Sequence, residues 1–254
     1  MRVWALSDLH LSFAFSKPME IFGERWRDHG ALIEAAWRAS VATADVVCLP
    51  GDLSWALRLP EAAGELAWLG TLPGRKVLVK GNHDYWWDSI GKVRRALPEG
   101  VFALQNDAVH WDGATFGGAR GWVDPSLDFR ALGPGAQDPS PPGEGRLHGI
   151  RGEDEDRRLY RRELERLETS LRAMDPGAAL RVALLHFPPT SPALEPTPVT
   201  ELLERYAIDA AVFGHLHGAG AERFENPYGE RNGVRYYLVS ADFAHFAPVL
   251  VGEV

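Results

Sequence analysis

The sequence predicts an α/β protein with parallel strands covered by helices, and three observations carry that expectation. Short apolar runs alternate with segments of helical period through the first eighty residues. Each apolar run is followed at once by a polar cluster. Pro50-Gly51 and Pro73-Gly74 close segments where the period changes.

The elements follow in order. Val3-Trp4-Ala5-Leu6 reads as a buried strand. Leu32, Ile33, Ala36 and Trp37 share one face of a helix over 29–43. Val46 to Leu49 is a second strand. Residues 60–72 read as a helix with Leu66 and Leu69 facing inward, and Lys76 to Lys80 as a third strand. This β-α-β-α-β order argues for parallel pairing inside a covered sheet. Beyond residue 100 the pieces shorten. Phe102 to Leu104, Ala108 to Trp111 and Thr115 to Gly117 read as hairpin-type strands, with Asp112-Gly113 as a turn signal.

Residues 133–149 are rich in Gly and Pro and nearly devoid of large apolar side chains. They are expected to form an exposed flexible loop or lid within one domain spanning 1–254. Residues 153–174 predict a long charged helix with Tyr160, Leu164, Leu167, Leu171 and Met174 as its apolar stripe. Its arginines at 157, 158, 161, 162 and 166 interleave with Glu153, Glu155, Glu163, Glu165 and Glu168. A solvated face with i,i+4 pairs is therefore expected rather than an anion site. Strands at 180–185, 210–213, 236–240 and 248–251 and a short helix at 199–206 complete the chain.

Composition narrows the function classes. The 254 residues are 45% hydrophobic and 24% charged, the balance of a globular protein. Lys+Arg 27 against Asp+Glu 35 gives a net charge of -8, which disfavours binding long nucleic acid by phosphate neutralisation. The single cysteine, Cys48, lies in an apolar run and is expected as a buried, inert thiol. No signal-peptide pattern opens the chain, and no apolar run nears the ~20 residues of a membrane helix. A cytoplasmic location and no membrane partner are the expectation.

The polar clusters carry the chemistry. They are Asp8-x-His10, Gly51-Asp52, Gly81-Asn82-His83-Asp84, His186, and Gly214-His215-Leu216-His217, and they hold five of the nine histidines. In open α/β sheets ligands bind outside the carboxyl ends of strands, so these five ends converge. Asp, Asn and His offer oxygen and imidazole ligands suited to Mn, Fe, Zn or Co. Alternation along an extended segment would put Asp8 and His10, or His215 and His217, on one side. Gly51, Gly81 and Gly214 would allow sharp backbone turns.

Together these motifs resemble the calcineurin-like metallophosphoesterase family over residues 8 to 217. The resemblance implies two mixed β-sheets packed as a sandwich and flanked by helices. It implies two divalent metal ions, with Mn favoured and Fe, Zn or Co as alternatives. Asp8, His10, Asp52 and His217 would hold the first. Asp52, Asn82, His186 and His215 would hold the second, so that Asp52 bridges. Two such ions ~3.5–4 Å apart share a hydroxide and clamp an in-line displacement at phosphorus. His83 would bind neither ion and would protonate the leaving group as general acid.

One departure separates the chain from the phosphoprotein phosphatases of the family. Those carry a second Asp after Gly-Asp, where this chain has Trp55 in Gly51-Asp52-Leu53-Ser54-Trp55. The usual partner of the acid histidine is thus missing, and Asp84 is the candidate replacement. The chain looks closer to bacterial phosphohydrolases of unassigned substrate.

Arg120, Lys80 and Arg58 are candidates to meet a phosphate, with Arg120 grouped with His83 and Asp84 as catalytic. Trp55, Trp86, Trp87 and Trp122 are candidates for a wall that stacks a nucleobase. His245 is a candidate to approach the site, whereas His29, His110 and His148 are expected at the surface. The expected substrate is a phosphodiester or small phosphomonoester, including nucleotides. Two alternatives remain open at this point. One is a non-catalytic scaffold, like a retromer subunit of the same fold that lacks the acid histidine. The other is a nuclease acting on short oligonucleotides.

Overall fold

The structure is a computed structural model. It describes residues 1–14, 17, 19–122, 124, 126–132, 153–218, 226 and 228–254. The expected loop at 133–149 lies outside them, as does His148.

Two mixed sheets form. The first joins β1 (Arg2–Ala5), β2 (Val46–Leu49), β3 (Arg75–Leu78), β4 (Val101–Ala103) and β11 (Val249–Glu253) in the order β11-β1-β2-β3-β4. β1 to β4 run parallel, and β11 closes the edge antiparallel. The second joins β5 (Ala108–Trp111), β6 (Ala114–Ala119), β7 (Leu180–Leu185), β8 (Ala210–Phe213), β9 (Gly229–Arg231) and β10 (Val234–Leu238) in the order β5-β6-β7-β8-β10-β9.

Side-chain alternation along each strand sorts the apolar residues into layers. Val3, Ala5, Val46, Cys48 and Val77 of the first sheet meet Phe116, Val182, Leu184, Ala210 and Val212 of the second in one core. Burial there raises the Cys48 thiol above its ordinary pKa, so it stays an unreactive thiol. The opposite face of the first sheet, with Trp4, Val47, Leu49 and Leu78, lies under α1 (His29–Ser40) and α2 (Ala63–Thr71) through Ile33, Trp37, Leu66 and Leu69. The outer face of the second, with Ala183, Leu185, Ala211 and Phe213, lies under α4 (Glu153–Arg172) and α5 (Pro198–Arg205). This is the flanked sandwich that the family resemblance implies.

Several boundaries differ from expectation. Helix α1 stops at Ser40 because Val41 is already extended, at φ -93 and ψ 126. Phe102 to Leu104 does not belong to a hairpin. Its strand β4 runs parallel beside β3, because the buried alternate residues Val101 and Ala103 complete the first sheet. The Asp112-Gly113 turn joins β5 to β6 as expected, with both residues at positive φ, 48 and 87. Helix α3 (Ile90–Ala96) and strand β9 are additional. β9 is three residues long and has no apolar run, yet Asn232-Gly233 announces its hairpin with β10. No helix among the described residues is long and apolar enough to cross a membrane.

Candidate metal centre

The ends of β1, β2, β3, β7 and β8 deliver their clusters to one place. A short backbone ladder ties the first two, with Asp8 N donating to Gly51 O, His10 N to Asp52 O and Leu11 N to Leu53 O, each at 3.0 Å. Asp8 and His10 do not reach the site by strand alternation. Both sit in the left-handed region, at φ 56 and 46, as do Asp52 at 54 and His215 at 73. Such backbone costs about 1–2 kcal/mol per non-glycine residue and clusters at functional sites. The glycines serve two different needs. Gly51 supplies a positive φ of 97, whereas Gly81 and Gly214 supply an absent Cβ. A Cβ on Gly81 would strike Asp52 Oδ1, and one on Gly214 would strike Asp8 Oδ2.

The donor atoms converge in two overlapping groups. Ligand atoms of Asp8, His10 and His217 lie within 4.8 Å of one another, and so do those of Asp8, Asp52 and His186. The Nε2 atoms of His10 and His217 face each other at 3.4 Å. Asn82 Oδ1 contacts His186 Nε2 and lies 3.1 Å from His215 Nδ1. Asp8 is common to both groups, and Asp52 Oδ2 reaches a histidine of each, 3.9 Å from His10 Nε2 and 3.6 Å from His186 Nε2. Its other oxygen accepts from His83 N at 2.8 Å. The imidazoles are fixed from behind. His186 Nδ1 meets Pro50 O at 3.0 Å, and His217 Nδ1 meets Asp242 Oδ1 at 2.9 Å.

The electrostatics suit a cation. Burial holds His10, His186 and His215 below the ordinary histidine pKa, so they offer neutral imidazole, the coordinating form. Burial and then the charges of Asp8 and Asp84 push the Asp52 carboxyl well above its usual range. Burial opposes the charge on His217, but the charges and hydrogen bonds of Asp242 and Asp8 together lift it to about 10. At Asp52 and His217 a proton and a divalent ion would compete for the same lone pairs. The donor set fits such ions.

The family model for calcineurin-like phosphoesterases matches residues 1–219. The chain belongs to that family. Members use divalent metals to hydrolyse phosphoesters, and residues suited to such a centre are present here. Two curated relatives align over about a third of the chain, and the chain spans about two fifths of their length. The Gene 66 protein of Mycobacterium phage L5 is 32% identical over 81 residues, covering 32% of this chain and 39% of its own. The Gene 66 protein of Mycobacterium phage D29 is 38% identical over 82 residues, covering 32% and 40%. Among solved structures, the phosphopantetheinyl hydrolase of Mycobacterium tuberculosis superposes with a TM-score of 0.53 at 16% identity, covering 98% of this chain and 95% of that one. That likeness is one of fold.

Against this family frame, the position of the missing second Asp is informative. Trp55 lays its ring on His10, with centroids 4.7 Å apart and planes 23° apart, and its centroid lies 4.6 Å from that of His83. Aromatic packing thus bears on His83, the residue that the resemblance makes the general acid. Asp84 does not hold that histidine. Its Oδ2 accepts from Gly81 N and Asp52 N, and its Oδ1 from Leu53 N, Ser54 N and Trp86 Nε1, at 2.8–3.3 Å. It is a positioning residue that ties the loop after β2 to the loop after β3.

Arg120 lies at the end of β6, and its carbonyl accepts from His186 N and Phe187 N at 3.0 Å. Its guanidinium stacks over Trp122, and Arg120 and Lys80 both line a cavity of about 180 Å³ at the ends of β3, β4 and β6. Arg58 is exposed on the turn before α2. Trp55, Trp86, Trp87 and Trp122 are 6%, 1%, 7% and 6% exposed and pack in apolar clusters, but the Trp55 ring also bears on His10 and His83, and Trp87 also lines the cavity beside Lys80 and Arg120. His29 is not a surface residue, since its ring nitrogens meet Trp26 O and Leu9 O at 3.1 and 3.0 Å. His110 and His245 are exposed.

Asp242 is the functional residue that sequence reasoning missed. The signal was a carboxylate just after the strand at 236–240, overlooked beside His245. Besides holding His217, it pairs with Arg25 at 3.2 Å and accepts from Gly218 N. Asp242→Asn removes the charge that orients and enriches the imidazole. Equilibrium dialysis is expected to show metal affinity about 10–100-fold weaker. Unchanged affinity would show that Asp242 serves the loop only.

Proposed function

We propose that this chain hydrolyses small phosphoesters at a dinuclear metal centre, with His83 as general acid. The observation that carries the reading is the place of Asp52 Oδ2, within 4 Å of imidazole nitrogens from both ligand groups. Asp8, His10, Asp52 and His217 would hold one ion, and Asp52, Asn82, His186 and His215 the other. When bound, the ions supply charge neutralisation at phosphorus and a water of lowered pKa. Mn is the favoured metal, with Fe, Zn or Co as alternatives.

The chain's own residues do the rest. Oδ1 of Asp52 fixes the His83 backbone, and the Trp55 ring bears on its imidazole. Burial, then the charge of His186, lowers His83 to about 4. His83 is therefore neutral at pH 7 until a negative charge sits beside it, and a phosphoester brings that charge. The proton gained is then available to the leaving oxygen.

A phosphodiester or small phosphomonoester, a nucleotide among them, is the proposed substrate, in the cytoplasm. The net charge of -8 argues against long nucleic acid. The test is to strip the chain with EDTA and reload it separately with Mn, Fe, Zn and Co. Metal content and hydrolysis of bis-p-nitrophenyl phosphate and p-nitrophenyl phosphate are then measured. Two ions per chain with recovered turnover is the expected result. Turnover that survives stripping, or one ion per chain at full activity, would sink the proposal.

A further inference from the structure

His10 and His217 come from different sheets, after β1 and β8, yet their Nε2 atoms face each other at 3.4 Å. Nitrogens bound to one divalent ion at about 2.0–2.1 Å stand about 3–3.5 Å apart, so this spacing suits a shared ion. One short stretch of chain reaches behind both rings. It is the single helical turn Glu24–Trp26 with the first residue of α1, and it supplies Arg25, Trp26 and His29.

The peptide that joins Leu9 to His10 is held at both of its polar atoms. His10 N donates to Asp52 O at 3.0 Å, and Leu9 O lies 3.0 Å from His29 Nε2. That peptide leads into a residue at φ 46, a conformation that local preference opposes, so its plane depends on such contacts. The other ring nitrogen of His29 lies 3.1 Å from Trp26 O. A neutral imidazole donates through only one of its nitrogens.

The second ligand is held in a similar way. Arg25 donates to Gly218 O, and at 3.2 Å to Asp242 Oδ2. Asp242 Oδ2 accepts from Gly218 N at 3.1 Å, and Asp242 Oδ1 meets His217 Nδ1 at 2.9 Å. The backbone next to His217 is thus held at both polar atoms, as the backbone next to His10 is. Trp26, 2% exposed, stands edge-on to both rings, its centroid 6.2 Å from that of His10 and 5.6 Å from that of His217.

We infer that this stretch is a clamp that sets His10 against His217 for the ion they share, with Arg25 and His29 as positioning residues. His29 donates from Nε2 to the Leu9 carbonyl, and Arg25 acts through Asp242. The inference rests on the dinuclear reading above. Groups that orient ligands in this way govern the affinity of one site and leave its neighbour alone.

Manganese titration of the EDTA-stripped chain tests the clamp, read by calorimetry and by electron paramagnetic resonance. The wild-type chain is expected to take two ions and to give the signal of a spin-coupled pair. Two variants separate the ring nitrogens of His29, because a glutamine amide reaches the place of Nε2 and an asparagine amide that of Nδ1. His29→Gln should keep both affinities within about threefold, whereas His29→Asn should weaken one ion about tenfold or more and spare the other. Arg25→Gln should likewise weaken one ion about tenfold, and should add nothing to the loss in Asp242→Asn. At one ion per chain each weakened variant should give an uncoupled signal.

Equal weakening of both ions would mark general damage to the fold and overturn the clamp, as would His29→Asn binding like wild type. Equal losses in His29→Gln and His29→Asn would overturn the role given to Nε2. Additive losses from Arg25→Gln and Asp242→Asn would overturn the role given to Arg25. A wild-type chain that takes a single ion would refute the dinuclear reading, and the same variants then decide the clamp on that ion. A chain that takes none would overturn both.

Discussion

Asp52→Asn is expected to lower phosphoester turnover about 10³-fold and to reduce metal content below two ions per chain. The substitution is nearly isosteric. An amide oxygen in the place of Oδ1 still accepts from His83 N, so the loop after β3 keeps its anchor. What changes is the other atom. An NH2 group then faces His10 Nε2 and His186 Nε2, where an acceptor with full charge stood. It repels a cation and has no lone pair to share. Turnover and bound metal measured on one sample separate the two losses. Turnover within tenfold of wild type at two ions per chain would show that Asp52 is not the shared ligand.

Asp84→Asn should act on the fold more than on the chemistry. The buried carboxylate accepts from five donors, two on Oδ2 and three on Oδ1. Whichever way an asparagine is turned, its NH2 confronts at least two N–H groups. Hydrogen bonds to a charged group contribute about 1.5–3 kcal/mol each, so about 4 kcal/mol of stability should be lost. That is a large part of the 5–15 kcal/mol typical of a whole domain. Urea unfolding of the metal-loaded chain reads the loss. The pH profile of the activity that remains separates the two roles. An unshifted alkaline limb fits a loop anchor, whereas a shifted alkaline limb with unchanged stability would return Asp84 to the side of His83.

Much of this was legible along the chain. Strand cores such as Val46 to Leu49 and Leu180 to Leu185 announced themselves because buried parallel strands must be continuously apolar. The ligand clusters were legible because each is short and follows a strand directly, so sequence neighbours are also neighbours at the site. The stripe from Tyr160 to Met174 gave away α4 through its period. β4 was misassigned because a three-residue strand shows the same alternation whether its partner is parallel or antiparallel. Trp86 and Trp122 were grouped with the pocket-side rings because composition cannot tell a ring that lines a pocket from one that fills a core.

The sequence by itself determined the alternation of strands and helices, the family, and the residue types that meet at the strand ends. These depend on periodicity and on residues close in the chain. Only the tertiary structure decided which atoms face one another. It set Asp242 behind His217, 25 residues away, and packed the Trp55 ring against His83. It turned Asp84 onto backbone amides and folded two arginines of α4 over the ends of β3, β4 and β6. Each of these is a contact between loops or layers whose distance is set by how the two sheets pack. No local pattern encodes that distance, because side-chain direction at a loop follows from backbone angles that the surrounding contacts impose. The left-handed conformations of Asp8, His10, Asp52 and His215 are the plainest case. Local preference opposes all four, and the ladder between the loops after β1 and β2 holds the first three in place.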